Sequence, residues 1–100
     1  MDKIESPYTG EFFFRKFSIC NKRGLHARAS AKFVQTVEAY NAIVEVEKGG
    51  QTVGGASIMG LMMLAASTGC SIEVRAKGED ATAVLDALET LVNNRFGEDC

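Results

Sequence analysis

A chain of 100 residues, 46% hydrophobic and 24% charged, has the length and balance of one globular domain. Its 11 basic and 13 acidic side chains leave a net charge of −2 with no basic stripe, which argues against a nucleic-acid binder. The longest nearly unbroken apolar run, Ile58 to Ala66, is too short to cross a bilayer, so no membrane segment is expected.

Residues 1–10 hold the only proline, Pro7, and read as a flexible polar leader without the apolar core of a signal peptide. Residues 11–96 read as a single domain and residues 97–100 as a tail. Cys20, Cys70 and Cys100 are an odd set without metal or redox spacing. They are expected to be reduced thiols of a cytoplasmic protein. Cys20 and Cys70 end apolar runs and are expected to be buried, with Cys100 exposed. Only His26 could join them as a ligand, so no metal site is expected.

The aromatic stretch Glu11 to Cys20 predicts a strand, with Phe13, Arg15, Phe17 and Ile19 on one face. Asn21 to Gly24 is a turn. From Ala27 to Tyr40 the period becomes helical, with Ala31, Phe33, Val34, Val37 and Tyr40 on the apolar side. Ala42, Val44 and Val46 then alternate with Ile43, Glu45 and Glu47 as a half-buried strand. Gly49-Gly50 is a hairpin turn, and Gln51 to Val53 the returning strand. Ser57 is placed to cap a short helix that runs to about Ser67, and Gly69 to end it. Ser71 to Ala76 alternates as a strand with Ile72, Val74 and Ala76 inward. Asp80 can cap a last helix whose stripe is Val84, Leu85, Leu88, Leu91 and Val92. The order β-α-β-β-α-β-α, with half-buried strands and amphipathic helices, predicts an α+β layer arrangement.

One stretch stands apart: Gly24-Leu25-His26-Ala27-Arg28-Ala29-Ser30. It places the only histidine at the start of a helix, beside a guanidinium. Free backbone N–H groups of Ala27, Arg28 and Ala29 would face a phosphate there. Arg28 would add a charge-assisted contact. The helix N-terminus and Arg28 both disfavour an imidazolium, which keeps His26 neutral and nucleophilic. An exposed site with few fixed donors would keep such a phosphate transferable. The competing reading of His26 is a capping or surface histidine without chemistry.

Two motifs, Gly24-Leu25-His26-Ala27-Arg28 and Ala56-Ser57-Ile58-Met59-Gly60-Leu61, together with Gly69 and Ile72 to Asp80, carry a resemblance. Over roughly residues 12–94 the chain resembles the HPr family, the histidine-containing phosphocarriers of the phosphoenolpyruvate-dependent phosphotransferase system. The resemblance implies an open-faced β-sandwich, four antiparallel strands in order 1-4-2-3 with three helices on one face. It implies a monomeric carrier rather than an enzyme, with no cofactor. Enzyme I would load a phosphoryl group onto His26 at Nδ1, Arg28 would stabilise it, and an EIIA-type acceptor would take it. Ser57 matches the serine that an HPr serine kinase/phosphorylase modifies in some members, although serine at a helix start is usually only a cap. Ala29 stands where the family usually has proline, which inclines the reading toward a nitrogen-related branch over sugar uptake. Ile58, Met59 and Met62 are candidates for a docking patch, because methionine adapts to several partners. The alternative function is a binding module switched at Ser57 without histidine chemistry.

Overall fold

The computed structural model describes residues 11–99. The leader Met1 to Gly10 and Cys100 lie outside the described residues. The strands are β1 (Phe13–Ser18), β2 (Ile43–Lys48), β3 (Gln51–Gly54) and β4 (Ser71–Lys77). The helices are α1 (Ala27–Glu38), α2 (Ile58–Met63) and α3 (Ala81–Asn93). The strands form one antiparallel sheet in the order β1-β4-β2-β3, as the resemblance implied.

Register follows from which residues must leave water. Phe17 lies opposite Ile72, Val46 opposite Val74 and Val44 opposite Ala76, and all six are buried. A one-residue slip would turn every one of them to solvent. The helices supply the other half of the core through Phe33, Val34 and Val37 of α1, Leu61 of α2, and Val84, Leu85, Leu88 and Val92 of α3. On the open face, Arg75 of β4 reaches Glu45 at 3.2 Å and Glu47 at 3.6 Å on β2. Gly49 and Gly50 both have positive φ, 60° and 83°, and close the β2–β3 hairpin as expected.

Four local expectations need correction. The helix expected to reach Ser67 stops at Met63, because Ala65 takes a left-handed φ of 54° and the Ala65 amide turns back to Met62 O. Gly69, expected to end that helix, serves the next strand instead: its amide donates to Ile19 O, and Cys70 O accepts from the Ile19 amide, both at 2.8 Å. Asp80 precedes α3 but its carboxylate makes no capping bond; Oδ2 accepts the Asn41 amide at 2.8 Å. Cys20 is exposed and Cys70 only partly covered, since Cys20 lies in the loop beyond the end of β1, where its Sγ donates to Val92 O at 3.3 Å, and Cys70 in the loop before β4.

After α3 the chain makes a tight turn. Arg95, Phe96 and Gly97 have consecutive positive φ values of 56°, 55° and 79°. For the two non-glycine residues this costs roughly 1–2 kcal/mol each. Burial of the Phe96 ring, 1% exposed, offsets that cost, and Lys32 Nζ donates to Phe96 O at 2.7 Å. The turn sends the following residues back toward the start of α1.

Candidate functional site

The loop between β1 and α1 is held from below. The Leu25 amide donates to Ala66 O at 2.9 Å, and Ser30 Oγ donates to Leu25 O at 3.2 Å. Leu25 is buried, so His26 starts from a fixed backbone. His26 is itself the N-cap of α1, with extended φ and ψ of −76° and −177°. Its Nδ1 accepts the Arg28 amide at 3.2 Å. On the opposite side of the ring, Nε2 meets Glu98 Oε2 in a hydrogen bond.

These two contacts assign the tautomer. A backbone amide only donates, so Nδ1 carries the lone pair. A carboxylate only accepts, so Nε2 carries the proton. The nitrogen with the lone pair faces the amides that open α1, where an incoming anion would sit. The imidazole thus keeps its lone pair at Nδ1 and uses it to cap α1.

The ring is less open than the sequence suggests. Its side chain is 18% exposed and that of Glu98 15%. The exposed, sparsely bonded site expected above is therefore corrected: both ring nitrogens are engaged. Ala27 and Arg28 are exposed, whereas Ala29, expected to offer its N–H to a phosphate, is fully buried, backbone included, because it packs into the core on the inner side of α1. The Arg28 guanidinium forms no ion pair with a described residue, and nothing holds it against His26.

Glu98 and Asn21 are the residues that sequence reasoning missed. Glu98 lay in the supposed tail and Asn21 in a turn. Asn21 is fully buried, and its Nδ2 donates to Gly24 O at 2.9 Å and to Glu98 Oε1 at 3.0 Å. Its Oδ1 has no hydrogen-bond partner, a burden of about 1–3 kcal/mol for a buried acceptor. The amide is thus spent on donating to the site loop and the carboxylate. Burial on its own would raise the Glu98 pKa. The hydrogen bonds from Asn21 and His26, with the charge of Arg23, bring it below the usual carboxylate range. The only signal in the sequence was an acidic residue shortly after the last helix.

Ser57 is exposed and caps α2, accepting the Gly60 amide on Oγ at 2.9 Å. Ile58 and Met62 are each 40% exposed, Met59 70% and Met63 65%, while Leu61 and Leu64 are buried. An apolar surface therefore lies on α2, whose C-terminal side abuts the His26 loop through Ala66. Among the described residues no cluster of His, Cys, Asp and Glu could hold a metal, and no helix is long and apolar enough to cross a membrane.

Comparison with known proteins gives this geometry its family. Residues 14–94 match the model of the PTS HPr component phosphorylation site. The phosphocarrier protein HPr of Neisseria meningitidis serogroup A is 49% identical over 84 residues, 84% of this chain and 94% of that protein. The phosphocarrier protein NPr of Shewanella violacea is 40% identical over 84 residues, 84% of this chain and 92% of that protein. Among solved structures, an HPr from Thermoanaerobacter tengcongensis superposes with a TM-score of 0.84 at 39% identity, covering 88% of this chain and 99% of that one. The chain belongs to the HPr family of phosphocarrier proteins.

Proposed function

We propose that this protein accepts a phosphoryl group on His26 Nδ1 from phosphorylated enzyme I and passes it to an EIIA-type acceptor. The observation that carries the reading is the Nδ1 lone pair held at the opening of α1 by the Arg28 amide. The lone pair attacks phosphorus as the donor's P–N bond breaks, and the electrons of that bond return to the donor nitrogen. Once Nδ1 is substituted it no longer accepts the Arg28 amide. That N–H, with its neighbour at Ala27, is then available to the phosphoryl oxygens. Arg28, unpaired among the described residues, is free to swing in as a counter-ion. The carrier works in the cytoplasm as a monomer, and the partners supply the remaining positioning.

The patch formed by Ile58, Met59 and Met62 is the proposed docking surface, since these side chains are exposed on the helix that adjoins the His26 loop. The Ser57 hydroxyl, engaged as a helix cap, is in the ordinary position for a serine without a regulatory role. That observation favours the carrier reading over a Ser57-switched binding module. Sugar uptake and nitrogen-related regulation differ in the acceptor, and relatives named HPr and NPr both match this chain. The Ala29 variant supports the nitrogen-related acceptor.

The test is intact-mass measurement with enzyme I, magnesium and phosphoenolpyruvate. One acid-labile phosphate on the wild type, absent from His26→Ala, is expected. No phosphate from an active cognate enzyme I would overturn the reading. Loaded protein offered to sugar-specific and nitrogen-type acceptors then assigns the branch. Efficient transfer to the sugar-specific acceptor alone would overturn the nitrogen-related choice.

A further inference from the structure

We propose that Glu98 is a positioning residue for His26, holding the Nε2 proton so that Nδ1 stays the reactive nitrogen, and that Asn21 holds Glu98 in place. The proposal rests on the reading that His26 carries the phosphoryl group.

Three features support it. First, the contact is built into the fold. Glu98 lies 72 positions from His26 and arrives there through the left-handed turn Arg95 to Gly97. Two non-glycine residues adopt that backbone, and the buried Phe96 ring and the Lys32 bond to Phe96 O anchor it. Second, each carboxylate oxygen has its own protein donor, Oε2 from His26 and Oε1 from the buried Asn21. Asn21 also grips Gly24 O in the His26 loop, so one side chain sets the distance between carboxylate and imidazole. Third, Nδ1 and Nε2 are held at once from opposite sides, which fixes the ring plane as well as the tautomer.

The chemistry requires such a group. When the Nδ1 lone pair bonds phosphorus while Nε2 keeps its proton, the ring becomes cationic. A carboxylate against Nε2–H stabilises that charge as it develops, as an orienting carboxylate does beside other reacting imidazoles. The proton stays on Nε2 and no further co-reactant is needed. In the forward transfer to an acceptor, the same charged ring leaves phosphorus as a neutral imidazole, which makes the step reversible. Without Glu98 the proton can reside on Nδ1, and an Nδ1–H ring has no lone pair to offer there.

The experiment compares the full-length wild type with Glu98→Ala and Glu98→Gln. Long-range ¹H–¹⁵N NMR of the imidazole reads the tautomer, and phosphorylation kinetics with enzyme I read kcat and KM. The wild type should show a protonated Nε2 and a bare Nδ1. Glu98→Ala should mix the tautomers and lower kcat by roughly tenfold to a hundredfold, with KM changed little, the scale of loss when a metal-ligating histidine is deprived of its outer hydrogen-bond partner. Glu98→Gln keeps a carbonyl acceptor, so it should retain the tautomer while recovering only part of the rate. If the wild type is phosphorylated and both variants keep its tautomer and its kcat within about twofold, well short of that range, the positioning role is wrong. If the wild type takes no phosphate, the carrier reading fails, whatever the tautomer. Should Glu98→Ala fail to fold, the near-isosteric Glu98→Gln decides: an unchanged kcat overturns the charge stabilisation proposed here.

Discussion

Gly24 and Ala66 touch so closely that a Cβ on Gly24 would overlap the Ala66 carbonyl oxygen and lie 2.8 Å from Ser67 Cα. Gly24 also has a left-handed φ of 66°. The His26 loop is thus pressed onto the segment after α2 with no room for a side chain. Gly24→Ala should cost at least ~2 kcal/mol, from the left-handed backbone together with the overlap against main chain that cannot rotate away. Urea unfolding measures it. A loss below about 0.5 kcal/mol, the ordinary scatter of surface changes, would show that the loop relaxes freely.

Ser57 accepts the Gly60 amide as the cap of a six-residue helix. Ser57→Ala should lose about 1 kcal/mol of stability, and Ser57→Asp should keep most of it because aspartate also caps. Chemical denaturation distinguishes the two. If both variants take phosphate on His26 at the wild-type rate, the carrier chemistry does not depend on this hydroxyl.

On α2, burial separates packing from docking. Leu61 is fully buried, and Leu61→Ala should cost about 2–5 kcal/mol. Met59 is 70% exposed, and Met59→Lys should leave stability within about 0.5 kcal/mol. The same Met59 change should raise the KM for enzyme I several-fold with little effect on kcat. An unchanged KM would remove Met59 from the docking surface.

The lowered pKa of Glu98 sets a pH dependence. Burial opposes ionisation there, but the bonds from Asn21 and His26 and the charge of Arg23 outweigh it. A carboxylate with a folded-state pKa below its unfolded one contributes stability that is full above the unfolded value, about 4.3 for glutamate. That contribution disappears as pH falls through the folded value. Wild type should therefore exceed Glu98→Gln in stability at neutral pH, and the difference should shrink in acid below about pH 4.3. Denaturation midpoints measured from pH 7 down to pH 3 test the sign.

Most of the frame was legible because local chemistry and burial agree. Phe17, Val44, Val46, Ile72, Val74 and Ala76 alternate as the sheet requires, and Gly49-Gly50 has the backbone freedom its hairpin uses. His26 was legible from its place before a helical pattern. Its partner was not. Glu98 is brought back by Arg95 and Phe96 in a conformation that side chains disfavour, so propensity points away from the turn that matters. Asn21 looked like any turn residue, and only burial reveals that its amide joins two distant segments. The apolar run through α2 concealed its early end, since Leu64 and Ala66 stay buried after the helix has stopped.

The turn at Arg95 to Gly97 also imposes an order on synthesis. By Asn93 every described strand and α-helix has been translated, but the core around Phe33 and Leu88 still lacks Phe96. The carboxylate that meets His26 is made five residues later. The last buried side chain and the carboxylate that meets the imidazole therefore arrive almost together, and a protease that clips between Phe96 and Glu98 would separate the carboxylate from the buried ring that anchors its turn.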